Sequence, residues 1–223
     1  MDARVRSAVG ASHLRGLPDE LLDELLDGAA TEHATAGSIT HSEGDTVPVI
    51  ELVVSGVVRV FVTAPDGRTL TVRYCRPGAL MGAFSLFVTR YVLPASTQAL
   101  IDAELLRMSP AVVRNVAARD GRVAMALLAD VSERVQEFVA EISGSAFSTV
   151  RQRIARHLLD LASQRMSERD ELVVLVSQRE LAEAVGTVRE VVVRVLRELR
   201  QEEVVRTERD RIVIVDPSRL IHE

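Results

Sequence analysis

The sequence lacks several residue types, and each absence narrows the range of proteins that it can encode. It contains no lysine, so all 27 basic residues are arginine, and it has no tryptophan, few aromatic residues and a single cysteine, Cys75. One thiol cannot close an intramolecular disulfide or supply the four ligands of an iron–sulfur cluster. There is also no uninterrupted apolar run of 18 residues and no signal peptide in the polar residues 1–10. We therefore expect a cytoplasmic protein without a membrane partner.

The composition is typical of a folded protein. Apolar residues make up 47% of the 223 positions, which suits one or two domains with an aliphatic core. The 32 acidic residues outnumber the 27 arginines, so the formal charge is −5. Taken alone, this charge argues against a nucleic-acid partner. The excess of acidic residues lies entirely in residues 1–147, which hold 18 acidic residues and 13 arginines. Residues 148–223 hold 14 of each.

The N-terminal half has the pattern of a β domain behind one short helix. Leucines at three- and four-residue spacing predict that this helix opens the fold, with Pro18 and Asp19 at its start. Residues 32–108 then form short alternating segments with turn residues about every ten positions, the spacing of an all-β sandwich or barrel. The clearest hairpin joins residues 57–62 to residues 70–74 through an Asp66-Gly67 turn.

A heptad pattern in the next segment predicts a helix that pairs with a second copy. Its apolar residues are separated alternately by four and three positions: Ala124, Leu128, Val131, Val135, Phe138 and Ile142. Two helices bury such a stripe between them. The alternative is packing on the protein's own β domain, but Val113, Val116 and Leu127 offer a second apolar surface for that contact. We expect Gly144 and Ser145 to interrupt this helix and to act as a hinge.

Three helical patterns and a terminal hairpin complete the chain. The helices are predicted around residues 154–161, 180–184 and 188–199, and the two strands at residues 204–205 and 212–215. Helices followed by a two-stranded ribbon indicate a winged helix-turn-helix.

The strongest functional signal is the helix-turn-helix pattern of residues 176–190. Ala182 permits close packing of two helices, Gly186 permits the tight turn between them, and Thr187 is placed to cap the second helix. One face of that second helix is apolar and is expected to be buried: Val188, Val191, Val192, Val195, Leu196 and Leu199. The opposite face is charged: Arg189, Glu190, Arg194, Arg197 and Arg200.

Three charged residues of this helix are candidates for reading DNA bases. Arg189, Glu190 and Arg194 lie in its first two turns, the part of a recognition helix that reaches base edges. Arginine donates two hydrogen bonds to guanine, and glutamate accepts one from cytosine. Because phosphates repel a carboxylate, the presence of Glu190 on this face indicates that the helix reads bases and does not merely bind the DNA phosphates. The alternative is a solvated face held by Glu190–Arg194 and Arg194–Glu198 pairs.

At this point the chain resembles the Crp/Fnr (cyclic-AMP receptor protein and fumarate-nitrate regulator) superfamily of bacterial transcription regulators. The resemblance covers nearly the whole chain and rests on these motifs: Ala36-Gly37-Ser38 with Glu43-Gly44-Asp45, residues 54–60, Arg76-Pro77-Gly78 ahead of Gly82, residues 105–109, residues 153–159, and Arg189-Glu190-x-x-x-Arg194. It implies an α+β fold in which an N-terminal antiparallel β jelly roll, the effector domain, occupies residues 1–109. A dimerisation helix in residues 110–147 and a winged helix-turn-helix DNA-binding domain in residues 148–223 would follow.

The resemblance also implies partners and further contact residues. A homodimer would bind a palindromic operator in double-stranded DNA, with Arg189, Glu190 and Arg194 reading each half-site, and RNA polymerase would be a further partner. Four positions match phosphate-contacting residues of the family: Ser177, Gln178, Arg179 and Thr187. Val191 stands where the family often has a threonine, so one phosphate contact is expected to be missing.

The effector region departs from the cyclic-nucleotide-binding members of the family. An ungapped match over residues 82–96 places Ala83 at the glutamate that binds the ribose, Leu93 at the arginine that binds the phosphate, and Pro94 at the neighbouring hydroxyl. An anionic phosphate in a β pocket needs such donors. We therefore expect no response to cyclic AMP.

The pocket that remains is expected to be apolar. Phe138 and Val139 stand where cyclic-AMP-binding members present hydroxyls to the base. The pocket residues are then Gly82, Ala83, Phe84, Leu93, Pro94, Phe138 and Val139. A hydrophobic or aromatic effector would suit this pocket, or its own side chains would fill it in a regulator that needs no ligand; the residues leave both open.

Other chemistries are alternatives. Arg90 would bind a cyclic nucleotide in a rearranged loop, and Cys75, His33 or His41 would ligate haem or, at Cys75, form a redox switch. A cysteine in an alternating strand is more often a buried, inert residue. The sequence shows no metal-ligand spacing, phosphate loop or nucleophile–base pair, so we expect no metal, no cofactor and no enzymatic activity. A cyclic-nucleotide-binding module serving an enzyme or channel is disfavoured because the nucleotide-anchoring residues are missing and we expect no catalytic or membrane segment.

Overall fold

The structure, a computed structural model, describes residues 1–67, 69–162, 172–208 and 211–221, and their side chains except those of residues 140–147 and 221. The chain divides into two compact units. The first comprises residues 1–62 and 72–139, and the second comprises residues 63–71 and 140–223. No helix within the described ranges is long and apolar enough to cross a membrane.

Two short helices precede the first strand. They are α1 (Ala3–Ala11) and α2 (Asp19–Leu25), and Pro18 is the residue before α2, as its start signal predicts. The fold nevertheless opens one helix earlier than expected. Helix α1 buries only Val5, Ala8 and Val9, which are too few to give a recognisable apolar period.

Six strands of the described residues form an antiparallel jelly roll, and most of its residues belong to the first unit. They are β1 (Ala30–Ala34), β2 (Ile39–His41), β3 (Glu51–Thr63), β4 (Thr69–Cys75), β5 (Leu80–Met81) and β6 (Ser96–Arg107). Their order is β1-β6-β3-β4, with β2 paired to β6 and β5 paired to β3. The long strands β3 and β6 pair from Glu51 opposite Arg107 to Phe61 opposite Ser96. The hairpin predicted at residues 57–74 corresponds to β3 and β4.

Two helices follow the sheet where a single helical segment was expected. Helix α3 (Pro110–Arg119) is separated from α4 (Gly121–Phe147) by Asp120, whose carboxylate accepts hydrogen bonds from the backbone and guanidinium of Arg122. Helix α4 then continues through Gly144 and Ser145. The predicted interruption at these residues is wrong, because a single glycine inside a helix costs only about 1 kcal/mol.

The second unit contains the helix-turn-helix and a small sheet. Its elements are α5 (Val150–Ala162), β7 (Leu172–Val174), α6 (Gln178–Ala184), α7 (Arg189–Gln201), β8 (Val205–Glu208), β9 (Arg211–Ile214) and α8 (Pro217–Ile221). The sheet has the order β7-β9-β8. The predicted two-stranded ribbon is therefore three-stranded among the described residues. Strand β7 is only three residues long, so it gives no readable alternation.

A buried carboxylate joins four strands of the jelly roll. Glu51 of β3 is 0% exposed; His41 Nε2 of β2 lies 3.0 Å from one of its oxygens, and Arg107 Nε of β6 donates to the other at 3.0 Å. Arg107 also pairs with Glu32 of β1 at 2.7 Å. Burial raises the pKa of Glu51, but the hydrogen bonds and positive charges of His41 and Arg107 outweigh it and hold this pKa below its usual value.

We expect Glu51→Gln to lower the free energy of unfolding by about 3 kcal/mol, because the substitution leaves the Arg107 guanidinium without its buried counter-charge. Urea unfolding of the two proteins at neutral pH measures this difference. The matched control is Glu32→Gln, which removes the more exposed partner of the same arginine and should cost less than about 1 kcal/mol.

The pH dependence of this difference gives a second check. Since the folded pKa of Glu51 is depressed, its stabilisation is present above the unfolded value of about 4.3 and is lost as the pH falls through the folded value. The stability gap between wild type and Glu51→Gln should therefore narrow below about pH 4. A gap that stays constant on acidification would show that the charge of Glu51 does not stabilise the fold.

Candidate nucleic-acid interface and effector region

Reciprocal hydrogen bonds fix the start of α6, the first helix of the helix-turn-helix. The Ser177 hydroxyl accepts from the backbone N–H of Glu180 at 3.2 Å, and the Glu180 carboxylate accepts from the backbone N–H of Ser177 at 2.7 Å. This arrangement is a capping box. It sets the positions of Ser177, Gln178 and Arg179, three of the predicted phosphate contacts.

The turn between α6 and α7 places the start of the second helix one residue later than expected. Gly186 adopts a φ of 68°, which favours glycine, and the N–H of Thr187 donates to the carbonyl of Ala182 at 2.9 Å. The residue before α7 is Val188, and no side chain caps the helix. The expectation that Thr187 caps α7 is therefore wrong, because its backbone closes the turn instead.

The apolar face of α7 is buried except at its beginning. Val192, Val195, Leu196 and Leu199 are buried, and Val191 packs partly against them. Val188 lies outside the helix and is 47% exposed, so its predicted burial is wrong. The buried residues fix the rotation of α7 and thereby turn its charged residues outward.

The outward face of α7 presents charges that are not paired with each other. Arg189, Glu190 and Arg194 are exposed, and within the part of the chain that the structure describes they form no hydrogen bond or ion pair. Neither the Glu190–Arg194 pair nor the Arg194–Glu198 pair is present there; Glu198 instead lies 3.6 Å from Arg151 of α5. The solvated face held by intrahelical pairs, the alternative to base reading, is not what the structure has.

A concavity of about 380 Å³ brings four predicted DNA contacts together: Ser177, Gln178, Arg179 and Arg189. Thr207 and Glu208 of β8 complete its wall. Thr187, Glu190 and Arg194 do not line it. Sequence reasoning missed the β8 residues because only the fold brings the wing next to α6.

One predicted phosphate contact already has a partner. Arg179 is highly exposed and lies 3.1 Å from the Glu183 carboxylate one turn later. An exposed pair of this kind is weak, so the Arg179 guanidinium can exchange Glu183 for a phosphate at little cost.

The predicted effector residues near β5 divide between interior and surface. Gly82, with a φ of 80°, begins a 3₁₀ helix at Ala83–Phe87. A Cβ on Gly82 would lie 2.1 Å from the carbonyl oxygen of Val49, so the close approach requires glycine. Ala83 and Leu93 are buried, whereas Phe84 and Pro94 are exposed.

The remaining predicted pocket residues lie on α4, where Phe138 and Val139 are 54% and 57% exposed. Leu93 instead lines a concavity of about 480 Å³ with a mixed polar and apolar lining that includes His41, Asp45 and Arg107. The seven residues therefore do not share one enclosed apolar cavity in the described part of the chain. Their role as an effector pocket stays a prediction.

Two of the residues proposed for alternative chemistries, Cys75 and His41, are buried or already engaged by another side chain. Cys75 is 0% exposed, and burial raises the pKa of its thiol, which disfavours the thiolate that redox chemistry needs. His41 is engaged by Glu51, while His33 and Arg90 are exposed. No group of three or more possible metal ligands occurs among the described residues.

An exposed apolar stripe runs along α4. Leu128, Val135 and Phe138 of the predicted seam are each more than half exposed, as are Met125 and Val139. The intrachain contact is made by the buried Val123 and Leu127, with Ala124 and Val131 packed partly against the same core. The Ile142 side chain lies outside the described residues. The two apolar surfaces expected from the sequence are thus both present.

Comparison with known proteins identifies both halves of the chain. Residues 31–120 match the cyclic nucleotide-binding domain family, and residues 152–223 match the Crp-like helix-turn-helix domain family. The cAMP-activated global transcriptional regulator Vfr of Pseudomonas aeruginosa is 27% identical over 86% of this chain and 92% of its own length. The transcriptional regulator LdrP of Thermus thermophilus is 35% identical over 75% of this chain and 83% of its own length.

Solved structures share the fold. A transcriptional regulator of the CRP/FNR family from Thermus thermophilus superposes with a TM-score of 0.74 at 27% identity, covering 87% of this chain and 99% of that one. The c-di-GMP responsive global regulator CLP of Xanthomonas campestris superposes with a TM-score of 0.79 at 24% identity, covering 88% and 99%. The jelly roll followed by a helix-turn-helix is therefore the architecture of these regulators.

Because a side chain caps α6 but not α7, two small substitutions should differ in their effect on stability. Ser177→Ala removes the capping hydroxyl and should lower the free energy of unfolding by about 1 kcal/mol. Thr187→Ala, its control, removes a hydroxyl that caps nothing and should change stability by less than about 0.5 kcal/mol. Thermal unfolding of both variants measures the difference; equal losses would mean that Thr187 supports α7 after all.

Proposed function

Because the chain belongs to the Crp/Fnr superfamily of transcription regulators and carries its helix-turn-helix DNA-binding domain, we propose that it binds a two-fold symmetric operator as a homodimer. The observation that carries this proposal is the outward face of α7, where Arg189, Glu190 and Arg194 are exposed and uncommitted to one another. Members of this superfamily are regulators and not enzymes, and we propose no reaction. In bacteria such a regulator acts in the cytoplasm, where the chromosome lies, and on RNA polymerase.

Base reading would use the first two turns of α7. Arg189 and Arg194 each present a guanidinium fork that matches the two acceptors of guanine, and Glu190 accepts from the amino group of cytosine. The buried valines and leucines on the opposite face hold the helix in one rotation, so these three side chains reach the groove together. Operator half-sites should therefore contain G·C pairs at the positions opposite them.

Phosphate contacts would come from the start of α6 and the turn before α7. The Ser177 hydroxyl oxygen accepts a hydrogen bond in its capping box, but its hydrogen remains available to a phosphate oxygen. Gln178 and Arg179 follow at the N-terminus of the same helix, and Thr187 lies in the turn. Such contacts orient the protein on the duplex without specifying the sequence.

Dimerisation would bury the stripe of Leu128, Val135 and Phe138 on α4. This stripe lies on a different face from Val123 and Leu127, so one helix serves the intrachain core and the second copy at once. Helix α4 runs without a break to Phe147. A change in the effector domain that shifts α4 would therefore change the spacing of the two α7 helices. Two such spacings, one that fits the operator and one that does not, would be the two states that allostery requires.

We further propose that cyclic AMP is not the effector, although Vfr is cAMP-activated. Leu93 and Ala83 are buried apolar residues at the positions that match the phosphate-binding arginine and the ribose-binding glutamate. Losing hydrogen bonds to a charged group costs about 1.5–3 kcal/mol each. Arg90 is exposed on the neighbouring loop and does not replace Leu93 at its position.

Selection of bound sequences from random double-stranded DNA with the purified protein tests the operator proposal. We expect a two-fold symmetric motif whose half-site centres are about 34 Å apart, with the same motif and affinity in the presence and absence of cyclic AMP. Failure to recover a symmetric motif under either condition would count against the proposed function. A tighter complex with cyclic AMP would refute the effector part alone.

Two arginine variants separate base reading from phosphate binding on the selected operator. Arg189→Ala should lose discrimination at one G·C pair in each half-site, by about 1–3 kcal/mol. Arg179→Ala is the matched control, because it should weaken binding to all sequences equally. If Arg189→Ala also weakens all sequences equally, the base-reading assignment is wrong.

A charge in the α4 stripe should separate the protomers. We expect Val135→Asp to give a monomer in sedimentation velocity, since the dimer would bury two unpaired carboxylates near its axis. Ala129→Asp adds the same charge to an exposed position of α4 outside the stripe and should remain dimeric. A dimer that persists in Val135→Asp with unchanged affinity would place the interface elsewhere.

A further inference from the structure

One apolar residue of α7 lies among the charged residues of its outward face. Because successive helical residues are about 100° apart, Val193 lies about 40° around the helix axis from Arg189 and about 60° from Glu190, between the two. It belongs to the second turn of α7 and precedes Arg194 directly. Val193 therefore shares the part of the helix for which base reading is proposed.

The core of the second unit does not explain this valine. Val192 is buried in that core, and Val191 packs partly against it. Val193 is half-buried, but within the described ranges it is not one of the residues that pack against the core. Valine is also a poorer helix former than alanine, because its branched Cβ restricts the side chain. Neither core packing nor helix stability therefore favours a valine at this position.

An apolar side chain has one favourable partner in the major groove of DNA. The base edges there present hydrogen-bond donors and acceptors, and their one apolar group is the C5-methyl of thymine. Valine has neither a donor nor an acceptor. Against any other base edge it would displace water from polar groups without replacing the lost hydrogen bonds, which is unfavourable.

The neighbouring side chains limit how deep Val193 reaches. Arg189 lies one turn before it and Arg197 one turn after it, so both flank it on the same side of the helix. Both arginines are exposed and have much longer side chains than valine. Val193 consequently contacts only a group that projects from the base edge into the groove, as the thymine methyl does.

We propose that Val193 is a specificity-determining residue that packs against the C5-methyl group of a thymine in each operator half-site. This assignment rests on the proposed function, because it requires α7 to lie in the major groove. Since Val193 lies between Arg189 and Glu190 around the helix, the thymine is close to the base pairs that these two residues read. Each half-site therefore combines G·C pairs with one A·T pair at a fixed position.

Uracil in place of thymine tests this contact, because uracil lacks only the C5-methyl group. The operator selected from random DNA is synthesised with uracil at each thymine of one half-site in turn, and fluorescence anisotropy at fixed salt measures the affinity of the full chain. At the thymine that Val193 contacts, loss of one buried methyl should weaken binding by wild type about fourfold. Val193→Ala should bind the thymine and uracil duplexes with equal affinity.

Val191→Ala is the matched control, since it removes the same two methyl groups from the other side of α7. It should keep the fourfold preference for thymine. Val193→Ala should keep the Tm of wild type within about 2 °C, because it removes nothing from the core. A clearly lower Tm would place Val193 in the core and overturn the proposal. A thymine preference that survives in Val193→Ala, is lost equally in Val191→Ala, or is absent from wild type at every position would also overturn it.

The outcome for Val193 is distinguishable from the outcome for the proposed function. A symmetric operator whose thymine preference is unchanged in Val193→Ala would refute the methyl contact alone and leave the roles of Arg189, Glu190 and Arg194 standing. Failure to select any symmetric motif with wild type would refute the proposed function and the role of Val193 with it.

Discussion

A charge that leaves water must find a partner, and this constraint governs the structure because every permanent positive side-chain charge in the chain is a guanidinium. Where the partner is a carboxylate of the same unit, the pair holds elements together. Glu51, Arg107, His41 and Glu32 connect four strands in this way, and Asp130 and Arg134 do the same between turns of α4. Where no carboxylate is supplied, as on the exposed face of α7, the guanidinium remains available to another partner, which we propose is DNA.

Much of the fold could be predicted because its longer elements bury a regular face. The alternation of β3 and β4, the heptad stripe of α4 and the apolar stripe of α7 each repeat often enough to be read along the chain. Helix α1 and strand β7 bury too few residues to give a period. The start of α7 depends on which atoms close the turn at Gly186, and the sequence does not reveal that Thr187 uses its backbone rather than its hydroxyl.

The candidate DNA-binding site could likewise be predicted only where it depends on a regular pattern. The charged face of α7 follows from helical spacing alone, so the candidate base-reading residues can be predicted from the sequence. Whether those charges are already paired depends on the distances between side chains, so the absence of a Glu190–Arg194 pair could not be predicted from the sequence.

The unpaired arginines of α7 have a consequence for how such a regulator can be controlled. A guanidinium does not lose its proton at any pH that a cell reaches. With no lysine in the chain, acetylation of lysine, which cancels a positive charge, has no target on the DNA-reading face or anywhere else. The arginine charge of this face is therefore constant, so in the proposed dimer we expect DNA binding to be controlled by the spacing of the two α7 helices and not by removal of that charge.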